Sequence, residues 1–202
     1  MTTETDRLLV QRCLGGDARA FEELLENYKN QIYSFIRRLI ENPQDAEDQT
    51  QETFIKAFRR LDSYDPAYPF ITWLFRIAHN ASVDFLRAKR PQTVSIDDED
   101  APLELEDKGD CVETAVSVKM ETERAERLLA SLPPLYREIL LLKYHEELTG
   151  REMAEVLGIP EGTVKIRLFR ARALMREKFN AMARPETAEK SNAVKNFCRK
   201  NF

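Results

Sequence analysis

The stretch from Leu148 to Lys178 constrains the fold of this chain more than any other part of it. It reads LTGREMAEVLGIPEGTVKIRLFRARALMREK and predicts two helices on either side of a turn. Gly158 is expected to end the first helix because glycine accepts a positive φ, and Pro160 and Glu161 begin the second. The apolar positions that define one face of each helix are Met153, Val156 and Leu157, then Val164, Leu168, Ala171 and Met175. This arrangement is typical of a helix-turn-helix.

The opposite side of the second helix is cationic. It carries Lys165, Ile166, Phe169, Arg170 and Ala173. Residues 161–178 contain six Lys or Arg and two Glu, a net charge of +4. Many helical hairpins have arginine on a solvated face, so the hairpin alone favours DNA binding only modestly. The charge strengthens that interpretation, because a cationic face gains affinity for duplex phosphates through counterion release.

The composition predicts an all-α protein in a reducing cytoplasm. Of the 202 residues, 43% are hydrophobic and 33% are charged, and glycine and β-branched runs are few. There is no apolar run of about 20 residues that could span a membrane, and the first residues do not resemble a secretory signal. Cys13, Cys111 and Cys198 form no CxxC pair, and with His79 and His145 they lack the spacing of metal ligands. No metal, cofactor or small-molecule substrate is expected.

The first third of the chain predicts two helices. A short amphipathic helix runs from Asp6 to Leu14 and ends at Gly15-Gly16, and Asp17 caps a longer one that Asn42-Pro43 ends. The long helix has one continuous apolar stripe, made of Phe21, Leu24, Leu25, Tyr28, Ile32, Phe35, Ile36 and Leu39.

The helix that follows is acidic first and basic later. Residues 41–52 contain five acids and no base, whereas Lys56, Arg59 and Arg60 come after them. The helix dipole alone accounts for this gradient. The dipole does not account for the cluster of Asp48, Gln51 and Glu52. This cluster lies beside an apolar stripe that is expected to be buried and that consists of Phe54, Ala57, Phe58 and Leu61. A polar acidic patch on a rigid helix is also a docking face for a basic partner.

Residues 62–69 predict a loop with Tyr64 and Tyr68, and a helix follows from Phe70 to about Lys89. Most of its aromatic and aliphatic residues are expected in the core, namely Phe70, Leu74, Ile77, Ala81 and Phe85, with Trp73 beside them. Asn80, Asp84 and Arg87 share another face. Singly they suit a solvated surface, but together with the aromatic loop they resemble a stacking and cationic site for unpaired bases.

An acidic linker is predicted between two folded parts. Residues 95–113 contain nine acids and one lysine, a net charge of -8 within an overall -4, so the rest of the chain carries +4. The predicted organisation is a first domain over residues 1–91, a flexible linker over 92–116, a second domain over 117–180 and a basic disordered tail over 181–202.

Three stretches in this order resemble a sigma factor of bacterial RNA polymerase, of the small two-domain extracytoplasmic-function (ECF) group. They are DAEDQTQETFIKAFRRL, FITWLFRIAHNASVDFLRAKR and SLPPLYREILLLKYHEELTGREMAEVLGIPEGTVKIRLFRAR. The resemblance covers roughly Asp6 to Lys178. It implies two small helical domains joined by a flexible acidic linker, the second a helix-turn-helix domain. It also implies a promoter-specificity subunit that binds core polymerase and has no chemistry of its own.

The resemblance assigns residues to three interfaces. The acidic helix would dock on the clamp helices of the largest subunit of core RNA polymerase through Asp45, Asp48, Gln51 and Glu52. The flap of the polymerase is implied as a further contact of the chain. The aromatic loop and the helix after it would read and melt the minus-ten promoter element through Tyr64, Phe70, Trp73, Asn80, Asp84, Arg87 and Arg90. The helix-turn-helix would read the minus-thirty-five element through Thr149, Arg151, Glu161, Gly162, Thr163, Lys165, Ile166, Phe169, Arg170 and Arg172.

The resemblance also implies an anti-sigma factor, often membrane-bound, as a partner. Two alternatives stay open on the residues alone. A helix-turn-helix repressor explains the second half equally well, but it gives no reason for the acidic docking helix. A helical scaffold or phosphorelay-type protein leaves the basic face of the second half unexplained.

Overall fold

The computed structural model describes residues 3–89 and 125–182, and all regular structure within these ranges is helical. The first range contains α1 (Thr3–Leu14), α2 (Ala18–Leu39), α3 (Pro43–Arg59), a 3₁₀ turn (Leu61–Ser63) and α4 (Phe70–Lys89). The second contains α5 (residues 125–130), α6 (Pro134–Tyr144), α7 (Gly150–Leu157) and α8 (Glu161–Met182). The predicted all-α class is confirmed. The predicted linker, most of the tail, Arg90, Cys111 and Cys198 lie outside the described residues.

Three of the helix ends lie at residues that are known to begin or end helices. Asp17 caps α2 as predicted, and its carboxylate accepts a hydrogen bond from the Arg19 amide at 3.1 Å. Asn42 caps α3 in the same way, with Pro43 as the first helical residue. Gly158 ends α7 at φ 65°, the left-handed conformation expected of it. Helix α1 begins at Thr3, three residues before the predicted start.

The core of the first part lies where α2 crosses α1, α3 and α4. Phe35 and Phe75 meet there with ring centroids 5.1 Å apart, and both are fully buried. Asp6 is also buried, and it accepts a hydrogen bond from the Tyr28 hydroxyl at 2.6 Å. Burial, and then this hydrogen bond, raise the pKa of Tyr28. A buried aspartate with a neutral donor was not evident from the sequence pattern, which only marked Tyr28 as apolar.

The prediction that Phe58 is buried is wrong. Its side chain is 57% exposed, and its ring makes an edge contact with Phe21 at a centroid distance of 4.9 Å. The buried row of α3 instead runs through Ala46, Thr50, Thr53, Phe54 and Ala57. Phe58 follows Ala57 by one residue, about 100° further around the helix, and therefore points away from the core.

Helix α6 is buried on nearly all sides because it lies between α8 and α2. Residues Tyr136 to Leu142 are all buried, including Arg137 at 6% and Glu138 at 4% exposure. The apolar spacing of Leu135, Ile139 and Leu142 in the sequence accounts for one face of α6 only, and Leu135 is half-buried. Helix α7 packs on α4 as well as on α8, so the two parts of the chain share one continuous apolar core.

Among the helices in the two described ranges, none combines the length and the apolar composition needed to cross a membrane. Cys13 is a free, half-buried thiol.

Candidate polymerase and DNA interfaces

The acidic side chains of α3 lie on its outer face, as predicted. Asp48 and Gln51 are exposed, and Glu52 lies beside them with an oxygen 3.5 Å from the Lys56 ammonium. Asp45 is less accessible, because its carboxylate accepts a hydrogen bond from the Lys89 ammonium at 2.5 Å. The structure therefore brings Asp48, Gln51 and Glu52 together, and it ties Asp45 to the end of α4.

An apolar groove adjoins this acidic face, between α2 and α3. It has a volume of about 700 Å³ and is lined by Phe21, Leu25, Gln51, Phe54, Ile55 and Phe58, among others. Ile55 is 45% exposed and Phe58 more so. Exposed large apolar side chains beside carboxylates are typical of a protein-binding surface. Sequence reasoning missed this groove, although Ile55 and Phe58 follow Asp48 and Gln51 by seven residues, two helical turns.

The aromatic loop folds back onto the start of α4. The rings of Tyr64, Phe70 and Trp73 form a triangle with centroid distances of 5.4, 5.5 and 5.8 Å. The Tyr64 hydroxyl donates to the Tyr68 carbonyl at 2.8 Å, and burial raises the pKa of Tyr64. These contacts hold the loop in one conformation. Tyr64 and Trp73 are half-buried and keep part of their rings accessible.

Phe70 is buried in the core as predicted, and this burial corrects its assignment to the residues that contact the minus-ten element. Its side chain is only 1% exposed, because its ring also packs on Tyr28 at a centroid distance of 5.6 Å. A base cannot stack on a ring that its neighbours cover on all sides. Phe70 therefore supports Tyr64 and Trp73 in this conformation.

One exposed row runs along the outer face of α4. It contains the three predicted residues Asn80, Asp84 and Arg87, all exposed. Arg76 begins the row one turn earlier, and sequence reasoning missed it even though its spacing from Asn80 is four residues. The row is polar and mixed in charge, and the aromatic triangle lies at its start.

The first helix of the helix-turn-helix begins with a capping box. The Thr149 hydroxyl accepts from the Glu152 amide at 3.3 Å, and the Glu152 carboxylate accepts from the Thr149 amide at 2.8 Å. Arg151 extends away from this cap, and its guanidinium lies 5.2 Å from the centre of the Tyr68 ring. A hydrogen bond with Tyr68 raises the pKa of Arg151.

Helix α8 has one face of buried apolar residues and an outer face of basic and apolar residues. Val164, Leu168, Ala171 and Met175 are buried, as predicted. On the outer side Lys165 is exposed, Phe169 is 47% exposed, and Ile166 and Arg170 are half-buried. The outward basic and apolar row expected from the sequence is therefore present.

The remaining predicted residues of this domain belong to α8 itself. Glu161 and Gly162 are exposed and Thr163 is half-buried in the first turn. Arg172 is engaged within the domain, since its Nε donates to the Tyr144 hydroxyl at 2.8 Å. A domain with one buried face and one cationic, partly aromatic face on its second helix has the surface that a major groove accepts.

Comparison with known proteins agrees with this arrangement. Residues 24–92 match the Sigma-70 region 2 family, and residues 122–175 match the Sigma-70, region 4 family. The ECF RNA polymerase sigma factor SigW of Bacillus subtilis is 37% identical over 170 residues, covering 81% of this chain and 90% of SigW. The ECF sigma-E factor of Escherichia coli K12 is 34% identical over 187 residues, covering 89% of this chain and 97% of that protein.

Solved structures show the same fold. The structure of CnrH in complex with the cytosolic domain of CnrY has a TM-score of 0.64 and 28% identity, and it covers 88% of this chain and 98% of CnrH. RpoE of Bartonella quintana, solved with the anti-sigma factor NepR, has a TM-score of 0.60 at 24% identity and supports the fold alone.

The fold and these matches define a DNA-binding specificity subunit of the bacterial transcription machinery. The chain belongs to the ECF family of RNA polymerase sigma factors. Members of this family bind core RNA polymerase and promoter DNA and direct transcription initiation, and they are in general not enzymes. The repressor alternative finds no support in these matches.

Proposed function

We propose that this chain directs core RNA polymerase to a dedicated set of promoters, and that its three exposed faces divide the work. The α3 face docks on polymerase, the α4 row reads the minus-ten element, and the α8 row reads the minus-thirty-five element. The observation that carries the proposal is the outer row of α8, where Phe169 is 47% exposed beside Lys165 and Arg170. An exposed phenylalanine among cations does not contribute to the hydrophobic core, but it can pack against a thymine methyl group.

The docking role of α3 is supported by the chemistry of its surface. Asp48, Gln51 and Glu52 supply negative and polar groups, and the groove formed with Ile55 and Phe58 supplies an apolar anchor. Interfaces that combine an apolar centre with a charged rim bind tightly and keep their register. The clamp helices of the largest polymerase subunit are the proposed partner of α3, and the flap is proposed as a second polymerase contact of the chain as a whole. Asp45 contributes indirectly, since Lys89 holds its carboxylate.

The minus-ten role of α4 is supported by its half-buried rings. Tyr64 and Trp73 are fixed by each other and by Phe70, so a base that stacks on them meets surfaces that are already ordered. Unpaired bases are held by stacking and by hydrogen bonds to their edges. Asn80 and Asp84 offer such hydrogen bonds, and Arg87 and Arg90 offer charge to the phosphates.

The minus-thirty-five role of α8 divides into base and phosphate contacts. Lys165 and Arg170 are assigned to guanine, because Lys and Arg pair with its O6 and N7 atoms. Ile166 and Phe169 are assigned to thymine methyl groups. Thr149, Arg151 and Arg172 are assigned to phosphates, and Glu161, Gly162 and Thr163 to the backbone approach at the start of α8.

We further propose that this chain has no catalytic activity of its own and that an anti-sigma factor sequesters it in the cytoplasm. The similar RpoE of B. quintana forms such a complex, and CnrH is bound by a cytosolic domain of CnrY. A membrane-bound anti-sigma factor would hold the chain at the inner membrane. Neither role requires a metal, a cofactor or a small-molecule substrate.

The proposal is tested by run-off transcription with core polymerase on a library of genomic fragments. The wild-type chain should select promoters with a shared minus-thirty-five and minus-ten sequence. Arg170→Ala should weaken selection by about 1–3 kcal/mol and relax the preference at one minus-thirty-five position. The matched control is Arg176→Ala, an exposed α8 residue outside the proposed reading row. An unchanged base preference in Arg170→Ala would remove this residue from base reading, and no promoter selection by the wild type would refute the proposed function.

A further inference from the structure

Helix α1 packs against the aromatic loop, although none of the residues assigned above to polymerase or DNA belongs to it. The helix contacts the 3₁₀ turn at the start of the loop and also α4, which follows the loop. It lies before residues 24–92, the part of the chain that matches the Sigma-70 region 2 family. What α1 contributes to the minus-ten face depends on two neighbouring side chains, Asp6 and Arg7.

Arg7 connects α1 to the middle of the loop. Its Nη2 atom donates to the Pro66 carbonyl at 2.5 Å, and the two residues are 59 positions apart in the sequence. The same guanidinium forms a hydrogen bond with the Tyr64 side chain. A guanidinium carries five N–H donors in a fixed planar arrangement, so one arginine can hold two groups of the loop at once.

The loop has few backbone donors of its own. Pro66 and Pro69 have no N–H group. The Asp65 carboxylate accepts from the Ala67 amide at 2.8 Å, which closes a local turn. Among the described residues, no backbone amide donates to the Pro66 carbonyl. Arg7 therefore supplies a constraint on the middle of the loop that the loop itself does not provide.

The residue before Arg7 fixes the position of α1. Asp6 is 4% exposed, and its carboxylate accepts from the Tyr28 hydroxyl at 2.6 Å. The Tyr28 ring in turn packs on Phe70, the buried member of the aromatic triangle. Because Asp6 and Arg7 are adjacent in α1, this buried hydrogen bond also determines where the backbone of Arg7 lies relative to the loop.

We propose that α1 is part of the minus-ten reading site and that Arg7 is its positioning residue. Through the Pro66 carbonyl, Arg7 holds the loop in one conformation. That conformation presents Tyr64 and Trp73 to an unpaired base, and Asp6 holds the helix that carries Arg7. A loop that is ordered before the base arrives binds at a smaller entropy cost and discriminates better between bases. The inference rests on the minus-ten role proposed above and adds to it a residue that contacts no base.

A direct contact with a promoter phosphate is the competing explanation, since Arg7 is exposed. The two roles predict different measurements. Loss of a phosphate contact weakens binding to all sequences alike and reduces the salt dependence of binding. Loss of a positioning contact instead reduces the preference for one base over another. The test therefore compares bases as well as total affinity.

The test uses holoenzyme and promoter DNA whose minus-ten element is left unpaired, so that binding does not depend on melting. Each minus-ten position carries each of the four bases in turn. Arg7→Ala should lower the preference for the best base about threefold to tenfold at the position that the loop reads, the range for a typical hydrogen bond. Arg7→Lys keeps the charge and a donor, and should recover part of the preference. The matched control is Arg19→Ala, which removes the same charge from an exposed position on α2.

A second readout needs neither polymerase nor DNA. Trp73 is the single tryptophan of the 202-residue chain, and its ring lies 5.8 Å from that of Tyr64. In the free full-length chain, acrylamide should quench the fluorescence of Arg7→Ala more than that of Arg19→Ala, because a released loop uncovers the indole. The melting temperatures of the two variants should agree, since both arginines are exposed.

Three results would overturn the positioning role. The first is a base preference in Arg7→Ala equal to that of Arg19→Ala. The second is an equal loss of affinity for all bases, which would indicate a phosphate contact. The third is unchanged quenching of Trp73, because the loop would then keep its conformation without Arg7. A wild-type holoenzyme with no preference among minus-ten bases would count against the proposed function, whereas the quenching comparison would still report whether Arg7 holds the loop.

Discussion

The two DNA-reading domains differ in how far their functional faces are separate from their cores. In the first, Tyr64 and Trp73 belong to the face and also pack against the fully buried Phe70. In the second, the reading row around Phe169 lies opposite the buried row that includes Leu168. A surface that stacks on an unpaired base needs rings with a fixed orientation, and the buried Phe70 fixes Tyr64 and Trp73. A surface that enters a duplex groove needs exposure and charge instead. Fold and function are therefore coupled in the first domain and largely independent in the second.

The largest effect of a substitution is expected on the acidic outer face of α3. Like the outer row of α8, this face consists of side chains that do not belong to the core. Asp48→Lys with Glu52→Lys should reduce affinity for core polymerase at least about 100-fold, since like-charge contacts at an interface cost several kcal/mol. The far-ultraviolet circular dichroism spectrum and melting temperature should stay those of the wild type. Glu47→Lys, also exposed on α3, is the control for general charge. Polymerase binding that survives the double reversal would disprove the docking assignment.

Substitutions in the aromatic triangle of Tyr64, Phe70 and Trp73 are expected to have a smaller effect on function and to lower stability as well. Tyr64→Ala with Trp73→Ala should reduce minus-ten opening about 10- to 100-fold, measured by a permanganate footprint of the holoenzyme, because stacking contributes about 1–3 kcal/mol per base. The same double variant should lower the free energy of unfolding by about 2 kcal/mol, since packing around Phe70 is lost.

Tyr64→Phe keeps the ring and removes the hydroxyl, with its hydrogen bond to the Tyr68 carbonyl and its interaction with Arg7, so it should melt promoters almost as well as the wild type. Reduced opening with unchanged stability would contradict the coupling of fold and function in this domain. Unchanged opening in the double alanine variant would contradict the stacking role itself.

The sequence predicted the faces of single helices well and the contacts between distant helices poorly. The stripes of α2 and α8, the cap at Asp17 and the turn at Gly158 all follow from periodicity and local backbone chemistry. Phe58 was placed in the core because it is apolar and adjoins a buried position. The buried row of α3 instead runs through Thr53, Phe54 and Ala57, and Phe58 lies beyond the edge of that row.

The interface between the two domains shows the same limit more clearly. Arg137 and Glu138 are charged, yet both are buried against the other domain, where the Arg38 carbonyl accepts from Arg137 and His79 pairs with Glu138. Arg137 also donates to the carbonyl groups of Ala130 and Leu132 in its own domain. The partners in the other domain are separated from these two residues by 99 and 59 residues, so no local pattern connects them. Candidate residues could thus be named from the motifs, whereas the contact of Arg151 with Tyr68 required the structure.

The smallest expected effect tests the independence of the second domain through its turn. Gly158 has φ 65°, where a side chain is strained, so Gly158→Ala should lower the free energy of unfolding by about 1–2 kcal/mol. Gly162 lies in the first turn of α8, and a Cβ added there meets no atom within 4 Å. Gly162→Ala should therefore leave stability unchanged or raise it by up to about 1 kcal/mol.

Comparing Gly158→Ala with Gly162→Ala is informative because the two glycines act on different features. The turn at Gly158 sets the angle between α7 and α8, whereas the arrangement of side chains in the outer row of α8 is set by α8 itself. Chemical denaturation measures stability, and holoenzyme binding to a minus-thirty-five duplex measures reading. If the reading row is independent of the core, Gly158→Ala should lose stability and keep its base preference once folded. A changed base preference in Gly158→Ala would mean that the turn positions the reading row, and that the second domain couples fold to function as the first one does.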